Sequence, residues 1–291
     1  MDIEYNPSSI CFGCEALGGT DWGNVDLKEL DKAIHKAVEM DINFFDTADV
    51  YGLGLSEERL SKILGHKRLD LFIATKGGVR WTKKEKGRAK ITFDSSPEYV
   101  TAAAEKSLKR LQLECLPLYY IHWPDPKTPI EDTLEAVKNL QEKGKVKHFG
   151  LSNVNETQLC EAQRNIQVDY VQIPINIMSK SPSESFISHC NKSNTRIVGY
   201  NVLNMGLLSG KFTTNTKFDS NDRRSRLEDF SGTKFEENLS RIKELKVMAS
   251  ARNQSLIQYS INSVLDKSYI SSVIVGIKNE KQLLENLKFK I

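Results

Sequence analysis

Short β-rich runs alternate with longer segments of helical period from one end of the chain to the other. The runs Ile10–Glu15, Phe44–Asp46, Leu71–Thr75, Leu118–His122, Lys147–Leu151, Tyr170–Ile173, Arg196–Tyr200 and Val273–Val275 are apolar and predict eight strands. Between them apolar residues recur three and four apart, as in Leu27, Leu30, Ile34, Ala37 and Val38, or Val100, Ala104, Leu108 and Leu111. That spacing predicts helices with one buried face. Pro97 behind Ser95 and Ser96 marks a helix start, with Asp94 or Ser96 as its cap. Strand and helix alternating throughout call for a parallel sheet. Closure is favoured over an open sheet, which would leave edges, and no G-x-G-x-x-G follows the first strand. The expectation is a single domain over residues 1–291, an α/β fold of the (β/α)8 TIM-barrel class.

Two stretches break the alternation. Lys211–Lys234 is long and irregular, and Gly77–Ser96 is a shorter loop containing RWTKKEKGRAK. Each directly follows a predicted strand, so each belongs to the rim at the carboxyl ends of the strands, where barrel active sites are built.

Composition adds bounds. Apolar residues make up 39% of the 291, enough for a full core, and the formal charge of +3 is too mild to indicate a nucleic-acid partner. No apolar run approaches the roughly 20 residues of a membrane span. The N-terminus lacks a basic and then apolar signal stretch, and five cysteines are an odd set, so a reduced, cytoplasmic protein is expected. Cys11 and Cys14 form a C-x-x-C within an apolar strand. Residues three apart on a strand face opposite ways, which disfavours a dithiol or metal site.

The candidate chemistry lies at strand ends. Asp46 ends NFFD, Lys76 follows LFIAT and His122 ends LYYIH, so a carboxylate, an ammonium and an imidazole from neighbouring strands can converge on the rim. Tyr51 follows Asp46 by five residues and can return to the same place. A phenol with a pKa near 10 is a weak acid at neutral pH. A buried lysine beside it is expected to lower that value, with the aspartate holding the lysine charged. His122 would orient a carbonyl oxygen.

FDTADVYGLGLSEERLSKIL (Phe45–Leu64) resembles the signature of the aldo-keto reductase superfamily. FIATKGG, YYIHWPDP, GKVKHFGLSN, VQIPIN, YNVLNMGLLSGKF and VIVGIKNEKQLLENL are similar to its further blocks, in its order and over nearly the whole chain. The resemblance implies an NADP(H)-dependent oxidoreductase, with NAD(H) as the alternative cofactor, acting on a small-molecule carbonyl or alcohol. It makes Asp46, Tyr51, Lys76 and His122 a catalytic tetrad. It implies that Ser152, Asn153 and Gln172 bind the nicotinamide carboxamide and that Tyr200 stacks on the ring. Asn201, Leu203, Gly206, Leu208, Gly210 and Lys211 would follow the pyrophosphate and ribose. Gly276, Lys278, Gln282, Glu285 and Asn286 would grip the adenosine end. Asp46 would also border the cofactor.

Two departures stand out. Lys278 replaces an arginine common in the family, a point charge in place of a bidentate fork, and Asn201 replaces a serine. The last block stops soon after Leu287, so substrate choice is expected to rest on other rim loops. Trp22, Trp81 and Trp123 would wall the substrate pocket beside Tyr51 and His122. Arg80, Lys83, Lys84, Lys86, Arg88 and Lys90 on one loop, with Arg223, Arg224 and Arg226 on the other, would steer a polar substrate, phosphorylated or nucleotide-linked, inward. The competing reading is a nicotinamide-binding regulatory subunit of the potassium-channel β-subunit type.

Overall fold

The computed structural model describes residues 5–85 and 88–287, without the side chains of 83–85 and 88. Ten strands run in chain order: β1 (Ile10–Gly13), β2 (Phe44–Asp46), β3 (Phe72–Gly77), β4 (Val79–Glu85), β5 (Arg88–Phe93), β6 (Leu116–Ile121), β7 (Val146–Ser152), β8 (Tyr170–Pro174), β9 (Arg196–Tyr200) and β10 (Ile270–Gly276). Eight of them close a parallel barrel in the order β1-β2-β3-β6-β7-β8-β9-β10, with β10 pairing back onto β1. This is the (β/α)8 barrel expected from the alternation. The helices between them are α1 (Leu27–Glu39), α2 (Leu55–Leu64), α3 (Pro97–Leu111), α4 (Ile130–Glu142), α5 (Glu156–Gln163), α6 (Glu184–Lys192), α7 (Gly232–Ser250), α8 (Leu256–Leu265) and α9 (Glu280–Leu287). None of the described helices is long and apolar enough to cross a membrane.

Strand parity divides the core in two. Cys11, Phe44, Phe72, Ala74, Leu118, Tyr120, Tyr170 and Val198 fill the barrel interior. Their alternates, including Ile10, Phe12, Phe45, Ile73, Tyr119, Phe149 and Val171, pack outward with the helices. Cys14 belongs to the outer core and Cys11 to the inner, so the two thiols do face apart. Burial raises the pKa of both well above the ordinary thiol value.

The stretch after β3 is not the irregular loop that was expected. β4 and β5 form an antiparallel hairpin, pairing Val79 with Phe93 and Trp81 with Ile91. Those four share one face by alternation, and Arg80, Lys90 and Thr92 lie on the other. The density of Lys and Arg hides this period in the sequence. Lys86 lies outside the described residues. Pro97 does open α3, with Ser96 as N-cap; the Ser96 hydroxyl donates to Asp94 instead of closing on the helix.

The long stretch after β9 is also ordered. It carries short 3-10 turns at Arg223–Arg226 and Glu228–Phe230 and joins α7 at Gly232. Leu207, Leu208, Phe230, Phe235 and Leu239 build a second, smaller core with Phe212 and Phe218 against it. We call residues 211–231 the strap.

The interior packing gives a first test. A Cβ on Gly150 would lie 2.3 Å from Tyr120 Cε1, deep in the barrel. Gly150→Ala is expected to cost about 1–3 kcal/mol through overpacking, read as a lower urea midpoint at unchanged slope. An unchanged midpoint would mean that the Tyr120 ring has room to retreat.

Candidate active site

The parity that fills the interior with apolar side chains also aims polar ones into its carboxyl-terminal mouth. Asp46 continues the inward row of Phe44, Lys76 that of Phe72 and Ala74, His122 that of Leu118 and Tyr120, Gln172 that of Tyr170, and Tyr200 that of Val198. Asp46 and Lys76 are almost fully buried, at 3% and 2% exposure. Lys76 Nζ donates to Asp46 Oδ1 at 2.5 Å and to the Thr47 carbonyl at 2.8 Å. Gln172 Nε2 donates to the other carboxylate oxygen at 2.6 Å. Each charge is thus paired and further hydrogen-bonded, the condition under which a buried ion pair is tolerated.

Tyr51 stands above this pair. Lys76 Nζ lies 5.1 Å from its ring centroid, and the His122 ring meets it edge-on at 5.8 Å and 82°. The backbone fixes it closely: a Cβ on Gly18 would lie 2.9 Å from the Tyr51 carbonyl carbon and 2.6 Å from Gly52 N. Gly52 has φ +60°. The turn Glu15–Gly18 after β1 therefore seats directly on Tyr51–Gly52. The four residues expected to act together do converge.

Their proton affinities depart from the expectation in one respect. Tyr51 is raised well above the usual phenol value, by burial first and then by Glu15 and Asp46, with Arg223 pulling it down and Tyr200 pushing it up. Burial, then the Lys76 charge, hold His122 well below the ordinary imidazole value. A neutral His122 offers one N–H to a carbonyl oxygen, and its Nδ1 is buried without a partner among the described residues.

The residues expected at the nicotinamide form one linked patch. Tyr200 donates its hydroxyl to Asn153 Oδ1 at 2.5 Å, and Asn153 Nδ2 donates to the His122 carbonyl at 2.9 Å and to Ser152 Oγ at 3.1 Å. Asn153 takes φ +60°, a region asparagine tolerates. Gln172 pairs with Ser152 across β7 and β8, and an N–H of its amide goes to Asp46, a link with no signal in the sequence.

The phosphate-side residues follow the strap. Asn201 Oδ1 accepts from Met205 N, and the Leu203 carbonyl accepts from Gly206 and Leu208. The Leu208 side chain is wholly buried in the second core, which leaves only its backbone for a ligand. Gly210 closes instead on Lys246, whose Cε a Cβ would meet at 2.5 Å. Gly276 has open space where a Cβ would be. Gln282 accepts from Lys278 N, Asn286 is buried, and Glu285 acts on Lys211.

Cations crowd here. Lys278 Nζ and Arg224 Cζ lie 5.5 and 5.6 Å from the Trp22 ring centroid, and Arg224 and Lys211 each lie 5.4 Å from that of Phe212. Burial, then Arg224, push Lys278 down to about 8, and the same causes lower Lys211. Asp222 pairs with Arg224 at 2.6 Å and leaves the two lysines in excess. An anionic group would relieve that repulsion, so the residues present fit a phosphate-bearing dinucleotide.

The tryptophans divide. Trp22 sits beneath Arg223, Arg224 and Lys278 and gives its carbonyl to Lys278, so it belongs to the strap's packing. Trp123, next to His122, is 41% exposed and stacks on Phe93 at 5.8 Å and 25°. Trp81 and Ile91 share the hairpin face of Phe93. Phe93 and Ile91 were missed, and the period-two alternation of β5 is the signal that could have found them. Four of the arginines expected to form a basic field are paired, while Lys86 and the side chains of Lys83, Lys84 and Arg88 lie outside the described residues. Arg80 pairs with Asp94, Arg223 with Glu15, Arg224 with Asp222, and Arg226 with Asp21.

Comparison with known proteins agrees with this geometry. The model of the Aldo/keto reductase family matches residues 9–290. Aldo-keto reductase YhdN of Bacillus subtilis is 32% identical over 285 residues, covering 97% of this chain and 85% of that protein. Aldo-keto reductase yakc [NADP(+)] of Schizosaccharomyces pombe is 29% identical over 97% of this chain and 84% of its own. The solved structure of the glycerol dehydrogenase AKR11B4 from Gluconobacter oxydans superposes with a TM-score of 0.88 at 31% identity, covering 98% of this chain and 87% of that one.

The buried pair yields a stability prediction. Lys76→Met strands the Asp46 carboxylate and is expected to cost about 3–5 kcal/mol, whereas the double variant Lys76→Met with Asp46→Leu recovers most of it. Urea unfolding of the single and double variants checks the cycle; additive losses would mean that the two charges do not depend on each other.

Proposed function

The chain belongs to the aldo/keto reductase family, whose members interconvert carbonyl and alcohol, and from that premise we propose that it works with NADP(H) and uses Tyr51 as its proton donor. The observation that carries this reading is the placement of Tyr51 against both Lys76 and the neutral His122, at a mouth walled by Trp123 and Phe93. When bound, the nicotinamide supplies or accepts the hydride. His122 orients the carbonyl oxygen by an N–H hydrogen bond, and the Tyr51 O–H delivers a proton to that oxygen as it becomes an alkoxide. In the reverse direction the phenolate removes the alcohol proton. Asp46 and Lys76 hold the floor beneath Tyr51 rigid. Asn153, tied to the His122 carbonyl and to the Tyr200 hydroxyl, keeps the proton-handling side and the ring-stacking side in register.

Tyr200 would hold the ring of the dinucleotide and Lys211 and Lys278 its phosphate end, where their positive charge would favour the 2′-phosphate of NADP(H). A point charge at Lys278 serves a phosphate without the geometric selectivity of arginine. The substrate is a small carbonyl compound lying against Trp123, Phe93 and Trp81.

Tyr51→Phe removes only the hydroxyl. Reduction over a carbonyl panel should fall by roughly 10²–10⁴-fold while NADPH binding, followed by fluorescence, is retained. Turnover within a few-fold of the parent protein would remove Tyr51 from the role. Tight binding with no turnover by the parent on any substrate would favour a regulatory use of the cofactor.

Lys278→Glu should weaken NADPH by roughly tenfold or more and NADH much less. Equal changes in both Kd values would locate the 2′-phosphate elsewhere.

A further inference from the structure

Three segments of chain meet at Lys278. Backbone bridges from Asp21 and Trp22 to Asp222 stitch the loop after β1 to the strap, and Lys278 Nζ, just beyond β10, donates to the Trp22 carbonyl at 2.8 Å. That carbonyl is a neutral partner. Among the described residues the ammonium has no carboxylate within ion-pair distance, because Asp222 Oδ1 and Oδ2 are taken up by Arg224 Nε at 2.9 Å and Nη2 at 2.6 Å. Cations surround it instead. Lys278 Nζ and the Arg224 and Arg223 guanidinium groups lie 5.5, 5.6 and 5.1 Å from the same Trp22 ring centroid, and Arg224 and Lys211 share the Phe212 ring. From α9, Gln282 accepts the Lys278 backbone N–H, and Glu285 acts on Lys211.

An ammonium that is half-buried, close to a guanidinium and bonded only to a carbonyl holds its proton loosely. A free lysine keeps it to about pH 10.4. Burial, then Arg224, bring Lys278 to about 8, with Asp222 opposing and Lys211 adding to the fall. The arginine common in the family at this position would stay charged throughout, since a guanidinium does not lose its proton in a protein. Lysine here therefore differs from arginine in titration as well as in shape. A 2′-phosphate completes its second ionisation near pH 6, so above pH 7 the ligand is a constant dianion and any change in charge belongs to the protein.

We propose that Lys278 is a specificity-determining residue that makes the choice between NADP(H) and NAD(H) depend on pH: its ammonium form selects the 2′-phosphate and its amine form does not. The proposal rests on the reading that Lys278 meets that phosphate. A dianion beside Nζ favours the charged form, so the complex holds the proton more tightly than the free protein does. Binding of NADPH to the amine form therefore draws one proton from solvent onto Nζ. By linkage, the affinity for NADPH is full below about pH 8 and falls as the pH rises through that value, whereas NADH, without the phosphate, changes much less. Carbonyl reduction consumes a proton from solution and alcohol oxidation releases one. The rise in pH that drives oxidation thus also relaxes the demand for a phosphorylated cofactor.

Binding measurements test this without turnover. Kd values for NADPH and NADH, followed by fluorescence at constant ionic strength, should give a ratio of NADPH to NADH that rises by roughly three- to tenfold between pH 7 and pH 9. Calorimetry at pH 8 in Hepes and in Tris, whose ionisation enthalpies differ, should show uptake of up to about half a proton with NADPH and almost none with NADH. Lys278→Arg keeps a charge that does not titrate, so its ratio should stay flat and its proton uptake vanish. Lys278→Met should bind NADPH weakly already at pH 7 and be equally flat, which leaves a second reading where the arginine variant does not fold. A flat ratio in the parent protein, or a slope that persists in the variants, would overturn the proposal. Lys278→Glu keeps the two claims apart. If it weakens NADPH and NADH equally, the location of the 2′-phosphate is wrong; if it discriminates between them while the parent ratio stays flat with pH, only the present inference fails.

Discussion

The arrangement depends on one contact, the ammonium of Lys76 held against the carboxylate of Asp46 inside the mouth of the barrel. Two buried charges are costly to desolvate, and the fold meets that cost with the Thr47 carbonyl and the Gln172 amide. Those partners come from the loop after β2 and from β8, on another side of the barrel. Three pieces of chain are thus brought into register by one electrostatic requirement. Tyr51 lies over the result, with its ring against Lys76 and His122 and its backbone against the Glu15–Gly18 turn. A site of this kind is preorganised: the groups that receive a carbonyl oxygen do not have to move to do so.

Gln172 adds a connection between the two halves of the chemistry. The resemblance gives its amide to the carboxamide of the cofactor, while in the structure the same amide holds Asp46. Tyr120, whose buried hydroxyl lies beside Gln172, closes the barrel interior below. On the proposed reading, the nicotinamide side and the proton side meet at this one side chain. Asn153 lies beside it at the end of the neighbouring strand and links Tyr200 to the His122 carbonyl.

Much of this was legible in the sequence because strand parity is a strict rule. Once Phe44, Phe72 and Leu118 are read as inward, Asp46, Lys76 and His122 must share their face, and the structure places them so. Phe44–Asp46 and Arg196–Tyr200 also match to the residue. What failed to show was anything set by tertiary charge balance. Burial comes first in raising the pKa of Tyr51, and two of the charges that act on it next, Glu15 raising and Arg223 lowering, are 208 residues apart. No local pattern announces that pair. The hairpin β4–β5 failed for a different reason: its period of two is carried by few apolar residues among many basic ones, so it resembled a solvated loop. The arginines of the strap looked like free charge for the same reason, since Asp21 and Glu15 are far away in sequence.

The strap is fastened at its two margins by unlike forces. Toward α7, Phe212, Phe218, Phe230 and Phe235 pack in a small greasy core, with Phe218 edge-on to the other three. Toward β1, Arg223 and Arg226 are held by Glu15 and Asp21 at partly exposed ion pairs. Added salt loosens the second and leaves the first almost untouched, whereas cooling weakens the first and spares the second. One segment of chain therefore carries a saline hinge at one edge and a thermal hinge at the other, and solution conditions select which edge lifts first.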